Sequence, residues 1–179
     1  NIAISVPGVI PIHLVRQNDF PGHITGGKVY VQMIIFSQGE TPFPKLHNES
    51  LHNRIEFFLA KGIDVNVKDN TEATPICLAA EYSENPKVLQ TLIDARADIH
   101  VTQRDGETLL ISAAGRNPNP EITKFLLKLG FDTEDRDDEG FTALLNAAAW
   151  QRNTDVIDVL LEASANKRAK SKYGDGMLH

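Results

Sequence analysis

The sequence contains a single cysteine, Cys77, and this shortage excludes two common ways of stabilising a small fold. One thiol cannot form a disulfide within the chain, and it cannot supply a zinc site built from several cysteines. A reducing compartment therefore fits the composition best. We expect the protein in the cytoplasm, or in a host cytosol if it is a secreted effector.

Long apolar runs and an excess of basic residues are also missing. No segment approaches the roughly 18 apolar residues that a membrane-spanning helix needs, and the first residues lack the basic start and long apolar core of a signal peptide. The chain has 18 Lys and Arg against 24 Asp and Glu, for a formal net charge of −6. That balance argues against nucleic acid or an anionic membrane as the binding target.

Motifs of catalytic and metal sites are absent too. The chain has no Gly-x-x-x-x-Gly-Lys-Ser/Thr loop, no Gly-x-Ser-x-Gly elbow and no His-Glu-x-x-His helix. His47 and His52 are five residues apart, a spacing that does not place both on one helix face. The acidic segment 132–139 has the offsets of part of a calcium loop, but Asn146 stands where that loop requires a bidentate Glu. We therefore expect no catalytic residue, no metal and no cofactor.

The sequence does contain an internal repeat with a period of 34 residues. Thr74, Thr108 and Thr142 are 34 residues apart, and the same step relates several other sets of residues. These sets are the pairs Ala79-Ala80, Ala113-Ala114 and Ala147-Ala148, the glycines Gly106, Gly140 and Gly174, and the residues Asp64, Asp98, Asp132 and Asn166. The glycines suit a turn position with positive φ. One register held across this many positions indicates a repeat array.

Each unit predicts a helix, a turn, a second helix and a hairpin-like finger. The first helix spans about 74–82, and its pair of alanines would let a neighbouring helix approach closely. Asn85 and Asn119, each followed by proline, are predicted to cap the second helices, and Asn153 repeats the device without the proline. Such a unit is too small to bury its own apolar face, so it must stack on the next one.

These residues resemble the signature of the ankyrin repeat family. The family's Thr-Pro-Leu-His-x-Ala-Ala stretch is present at 74–80 without its histidine, and it recurs at 108–114 and 142–148. Two departures are a period of 34 rather than 33 and Glu72 at the position where the finger glycine is expected. The resemblance covers residues 40–179. It implies a mostly α-helical solenoid whose fingers and first helices line a concave face that binds other proteins.

The register divides the chain into segments. Residues 39–179 form the array, which begins with a degenerate first repeat at 39–71. Three further repeats and a partial fifth follow at 72–105, 106–139, 140–173 and 174–179. Residues 1–38 have no repeat register, and their β-branched apolar runs predict a short β-rich segment that caps the array or ends a preceding domain. Because the sequence stops inside a fifth copy, we expect it to be part of a longer protein.

The resemblance also implies which residues face a partner, namely those at the finger tips and on the exposed side of the first helices. The predicted contact residues are Asn70, Thr71, Glu81, Tyr82, Arg104, Asp105, Glu107, Arg116, Asp138, Glu139, Phe141, Trp150, Lys172 and Tyr173. The matching outward positions also hold Ala73, Gly115, Ala149 and Asp175. The aromatic residues in this set are the expected anchors of the interface. The alternative is that Phe141 and Trp150 pack under a neighbouring finger as part of the core.

Charge is unevenly distributed along the array. The acidic segment 132–139 is followed one repeat later by the basic residues Lys167, Arg168, Lys170 and Lys172. We expect a surface with an acidic middle and a basic end, which would steer a partner rather than set its affinity. The alternative is that these charges only keep the protein soluble.

Together these features predict a non-enzymatic module that binds another protein. Two alternatives stay open. In the first alternative, the chain is a targeting or regulatory arm of a larger enzyme or effector whose catalytic domain lies elsewhere. In the second, it is an array that self-associates through residues 1–38. A homo-oligomer is the less favoured arrangement.

Overall fold

A computed structural model describes residues 64–68, 72–103, 105–150 and 154–176. The predicted β-rich segment 1–38 lies outside the described residues, as does most of the degenerate first repeat. The description therefore covers the three repeats that carry the register.

Each of these repeats contributes two antiparallel helices, and both helices recur at the predicted interval. The inner helices are α1 (Pro75–Tyr82), α3 (Leu109–Arg116) and α5 (Ala143–Trp150). The outer helices are α2 (Pro86–Asp94), α4 (Pro120–Lys128) and α6 (Asp155–Glu162). Among the described residues, β pairing is limited to one isolated antiparallel bridge between Lys170 and Gly176. None of the helices in this part of the chain has the length and apolar character needed to cross a membrane.

Side chains next to the helix starts explain where the outer helices begin. Asn85 Oδ1 accepts a hydrogen bond from the Lys87 amide at 3.0 Å, and Asn119 Oδ1 accepts one from the Glu121 amide at 3.0 Å. Both caps are followed by proline at the first helical position, so the predicted cap is confirmed in α2 and α4. In α6 the cap position is held by Thr154 without a side-chain hydrogen bond, and Asn153 lies outside the described residues.

The outer helices all end in the same way. The residue after the last turn has a left-handed backbone, with φ of 68° at Arg96, 94° at Gly130 and 67° at Ser164. The amide that follows donates back across the turn, as in the 2.8 Å bond from Ala97 N–H to the carbonyl of Leu92. This is the Schellman arrangement, which satisfies carbonyls that the helix leaves open.

The helices form two layers around one apolar core. In the inner layer α3 packs against both α1 and α5, and in the outer layer α4 packs against both α2 and α6. The alanine pair of α3, Ala113 and Ala114, is fully buried, as the close approach of neighbouring helices requires. Every residue from Leu109 to Gly115 is buried, so α3 is enclosed on all sides.

A finger connects each helix pair to the next, and its tip is a tight turn. In the tip 103–107 the Gln103 amide donates to the Glu107 carbonyl at 3.1 Å, and the Gly106 amide donates to the Gln103 carbonyl at 2.9 Å. The same two bonds recur in 137–141 and 171–175. The glycines of the three tips have φ of 76°, 82° and 85°, which confirms the predicted positive φ.

Neighbouring tips are joined by backbone hydrogen bonds. Asp138 N–H donates to the Asp105 carbonyl at 3.0 Å, and Lys172 N–H donates to the Glu139 carbonyl at 2.9 Å. A Cβ on Gly106 would lie 2.7 Å from Asp138 Oδ1 and 3.1 Å from the Asp138 backbone nitrogen, so a larger residue would crowd the next tip as well as strain its own turn.

Candidate functional site

The surface predicted to bind a partner consists of the finger tips and the C-terminal ends of the inner helices α1, α3 and α5. We call this surface the finger face. Three of the predicted contact residues, Asn70, Thr71 and Arg104, lie outside the described residues. The structure places the other eleven on or beneath the finger face.

Aromatic side chains are exposed on this face. Trp150 at the end of α5 is 73% exposed, Tyr173 on the last tip is 71% exposed, and Tyr82 at the end of α1 is 50% exposed. Trp150 therefore does not pack under a finger of the described repeats, whereas Phe141 is half-buried. Tyr82, Arg116 and Trp150 are 34 residues apart and form a column along the three inner helices.

Two predicted surface residues are buried instead. Glu81 is 5% exposed and Glu107 is 6% exposed, so the prediction that they face outward is wrong. Ala73 and Gly115, at matching outward positions, are buried as well. The carboxylates are inside because Arg116 pairs with both of them from the end of α3.

Arg116 and Glu107 form the centre of this buried network. Arg116 Nη1 bonds to Glu107 Oε2, and Arg116 Nη2 donates to Glu107 Oε1 at 3.2 Å, so the pair is bidentate. Ser112 Oγ donates to Glu107 Oε2 at 2.9 Å. From the next repeat, Asn146 Nδ2 donates to Glu107 Oε1 at 3.3 Å and to the Ile111 carbonyl at 3.1 Å. One carboxylate therefore ties a finger to two successive inner helices.

Glu81 extends the network to the preceding repeat. Its Oε1 accepts a 2.7 Å bond from Gln103 Nε2 and lies 3.6 Å from Arg116 Nη1. The same Gln103 nitrogen also donates to Ser112 Oγ at 2.8 Å. The tip 103–107 is thus fixed against α1 and α3, which prepares the finger face before any partner arrives.

Burial sets the acid–base properties of these groups. It raises the pKa of Glu81 above the ordinary value, and the bonds from Gln103 and the charge of Arg116 offset only part of this effect. Burial also raises the pKa of the Tyr82 hydroxyl, which is hydrogen-bonded to Glu81. For Arg116 burial alone would lower the pKa, but the bonds and charge of Glu107 outweigh it, so the pKa is raised.

Two acidic residues of 132–139, Asp132 and Asp137, accept hydrogen bonds within turns. Asp137 Oδ1 accepts hydrogen bonds from the amides of Glu139 at 2.9 Å and Phe141 at 2.8 Å. Asp132 Oδ1 accepts one from the Glu134 amide at 2.9 Å. Within the described ranges, no three His, Cys, Asp or Glu side chains are grouped closely enough to hold a metal ion.

Two cations of the last two fingers, Arg136 and Lys172, donate hydrogen bonds to backbone carbonyls of the protein. Lys172 Nζ donates to the Asp138 carbonyl at 2.5 Å, and Arg136 donates to the carbonyls of Gly140 and Lys170 at 2.7 and 2.8 Å. The carboxylates of Asp105, Asp138 and Glu139 belong to exposed residues. The acidic part of the finger face therefore remains open to solvent.

A second concavity lies away from the finger face and was not found from the sequence. It is a groove of about 350 Å³ whose lining includes His100, Asp132 and Asp135. Burial raises the pKa of Asp135, and the neighbouring Asp132 adds to the effect. In the previous repeat Asn66 occupies the position of His100 and bridges to the next repeat, accepting a 2.8 Å bond from the Asp98 amide. The feature of the sequence that could have indicated this groove is His100, at the position that Asn66 holds in the previous repeat.

Comparison with known proteins adds one match. The family model described as ankyrin repeats, in three copies, matches residues 76–171, which is more than half of the chain. No curated protein matches the chain.

Proposed function

Because the chain belongs to the ankyrin repeat family, whose repeats are generally protein–protein interaction modules, we propose that it binds another protein through the finger face. The proposed role is non-enzymatic and uses no cofactor, nucleic acid or membrane, and we place it in the cytoplasm. The observation that carries the proposal is Trp150, a large aromatic side chain left 73% exposed on this face.

Exposed aromatic side chains on a fixed surface favour binding for two physical reasons. A Trp or Tyr side chain buries a large area when a partner covers it, and such residues, together with Arg, dominate binding energies at protein interfaces. The hydrogen bond from Gln103 to Glu81 and the ion pair of Glu81 with Arg116 hold the surrounding surface in place, so little conformational entropy is lost on binding. The column Tyr82, Arg116 and Trp150 supports an interface that runs across all three repeats.

The proposal is tested by affinity capture from a lysate of the source organism with the tagged protein, beside the double variant Tyr82→Ala/Trp150→Ala. The matched control is Leu129→Ala/Leu161→Ala, which truncates two exposed apolar side chains at outer-helix positions. Circular dichroism on all three proteins establishes that the helices are intact.

We expect the parent to capture a protein whose recovery falls at least tenfold with Tyr82→Ala/Trp150→Ala and is unchanged with the outer-helix control. Truncation of an anchor residue typically costs about 1 kcal/mol or more. Equal capture by both variants would contradict binding through the finger face. Loss in the control alone would move the interface to the outer helices.

A further inference from the structure

The finger tips hold the whole formal net charge of the chain. The four segments that the repeat register aligns with the tips, 69–73, 103–107, 137–141 and 171–175, contain eight acidic and two basic residues, a net charge of −6, and two of these ten, Asp69 and Arg104, lie outside the described residues. The acidic residues are Asp69, Glu72, Asp105, Glu107, Asp137, Asp138, Glu139 and Asp175, and the basic ones are Arg104 and Lys172. Glu81 and Arg116 at the helix ends cancel each other, and Lys68 Nζ beside the first segment lies 3.9 Å from Glu72 Oε2, so the finger face keeps most of this charge. The rest of the chain is neutral on balance.

The structure presents part of this charge to solvent in fixed positions. Asp105, Asp138 and Glu139 are exposed, and the hydrogen bond from Asp138 N–H to the Asp105 carbonyl holds the two tips side by side. The ammonium group of Lys172 is directed to the Asp138 carbonyl. The buried Glu107 is already paired with Arg116. The exposed carboxylates are thus the groups available to an incoming cation.

The aromatic residues of the finger face favour the same kind of ligand. An ammonium or guanidinium group is attracted to the face of a Trp or Tyr ring when it lies within about 6 Å of the ring centre. Trp150 and Tyr173 are both more than two-thirds exposed. A surface that combines exposed rings with unneutralised carboxylates is complementary to Lys and Arg side chains, and it repels phosphates and anionic lipids.

The repeat geometry adds a spacing. Packed helices lie about 8–10 Å apart, so equivalent tips are separated by a similar distance. A chain in the extended polyproline II conformation rises about 3.1 Å per residue and turns once in three residues, so residues three apart lie on one side, about 9 Å from each other, which is close to one repeat. A chain that crosses the tips would meet a new set of carboxylates at about every third residue.

We propose that the partner presents an extended basic segment, with Lys or Arg at about every third residue, to the carboxylates of Asp105, Asp138 and Glu139 and to the ring of Trp150. This inference rests on the proposed function and names the chemistry of its partner. The exposed basic residues Lys167, Arg168 and Lys170, which precede the last tip, would repel the segment and so limit it to the acidic tips.

The test is a selection of binders from a random displayed library of 12-residue peptides, with the intact chain as bait at low ionic strength. The affinities of the recovered peptides are then measured by fluorescence anisotropy. The finger-face variant is Asp105→Lys/Glu139→Lys, and the matched control is Asp158→Lys/Glu162→Lys on α6. Both variants change the formal net charge from −6 to −2 and place the added positive charge on different surfaces, and circular dichroism on both checks that the helices are intact.

We expect recovered peptides with Lys or Arg at a spacing of about three. Their dissociation constant should rise about tenfold or more for the finger-face variant and change less than threefold for the control. Affinity should also fall as the ionic strength is raised, since exposed charges are screened beyond about 10 Å at 0.1 M salt. The neutral variant Asp105→Asn/Glu139→Gln repeats the measurement if the lysine variant does not fold.

Other outcomes would overturn the inference. Peptides without basic enrichment that are nevertheless lost on Tyr82→Ala/Trp150→Ala would leave the proposed function standing and reject the basic partner. Basic peptides that weaken equally in both lysine variants would show attraction to net charge alone. Peptides that depend on no finger-face residue would reject the inference and the proposed function together.

Discussion

Arg116 is the cation beside which two carboxylates, Glu81 and Glu107, are buried. Two carboxylates in the interior would each carry a large desolvation cost, and a single guanidinium offsets the cost only where the geometry is good. Glu107 receives the bidentate contact, while Glu81 is held 3.6 Å from the same nitrogen and by Gln103. Burial raises the pKa of Glu81, and the bond from Gln103 and the more distant charge of Arg116 offset only part of this effect.

The raised pKa of Glu81 predicts a specific pH dependence. Because its pKa in the folded state lies above the ordinary value of 4.5, Glu81 contributes most to stability below that pH, and the contribution is lost as the pH rises through the folded-state pKa. The variant Glu81→Gln should therefore gain stability relative to the parent as the pH rises from 4.5 through the folded-state pKa of Glu81. Urea unfolding of both proteins from pH 4 to 8 measures this difference.

The matched control for this measurement is Glu121→Gln. Glu121 is exposed, and its hydrogen bond to Lys124 lowers its pKa, so its contribution is present above the ordinary value and lost on acidification. The two variants should respond to pH in opposite directions. A pH profile for Glu81→Gln that runs parallel to the parent would contradict the assignment.

Asn117 is a second residue whose role depends on a neighbouring repeat. It is buried, and its Nδ2 donates to the carbonyls of Ala80 and Ser83, both at 2.9 Å. Asn117→Ala leaves both carbonyls without this donor, and we expect a loss of about 2 kcal/mol in the free energy of unfolding. Chemical denaturation measures it, and a loss below about 0.5 kcal/mol would contradict the role.

The sequence predicted the helices, the caps and the finger turns, because these depend on residues close together in the chain and recur at one period. It could not predict that Glu81 and Glu107 are buried. A register aligns equivalent positions, whereas these carboxylates are placed by contacts between non-equivalent residues of different repeats, as when Asn146 reaches Glu107. The spacing therefore located the finger face but did not show which of its charges are neutralised inside.

At the scale of the helix, the three outer helices end with one backbone geometry and three different residues. Arg96, Gly130 and Ser164 all have a left-handed φ, although only glycine adopts it without a steric cost. The side chains at the other two positions are exposed, so they offer no packing that would compensate. The steric cost at Arg96 and Ser164 therefore lowers the free energy of unfolding relative to a chain with glycine at these positions.

We expect Arg96→Gly and Ser164→Gly to raise the free energy of unfolding by about 0.5–1 kcal/mol each, because the left-handed conformation then carries no penalty. Gly130→Ala should lower it by a similar amount. A Cβ at Gly130 would meet nothing within 4 Å, so this variant reports the backbone term alone. Thermal unfolding of the three variants provides the comparison, and a destabilised Arg96→Gly would argue against the account.

At the scale of the whole molecule, stability is shared between repeats that contact only their neighbours. The helix α3 has an inner-layer neighbour on each side, and seven consecutive residues of it are buried. In α6 only Val156, Val159 and Leu160 are buried, and most of the segment that follows it is exposed. Opening should therefore cost more free energy at α3 than at α6.

Hydrogen exchange measured by mass spectrometry tests this gradient. We expect amides of α3 to exchange at least tenfold more slowly than those of α6, since a difference of about 1.4 kcal/mol in opening free energy corresponds to a factor of ten. Uniform exchange across both helices would instead mean that the described repeats open as one cooperative unit.

The buried thiol of Cys77 gives the native chain a built-in reporter of such openings. It is the one cysteine of the sequence, it lies in α1 with no exposed surface, and burial raises its pKa, so the reactive thiolate is scarce while the helix is closed. A disulfide reagent that releases a coloured product would react only as fast as α1 opens. Its reaction rate in the unmodified protein would measure how often the first inner helix separates from the array, and a bound partner that bridges the repeats would slow it.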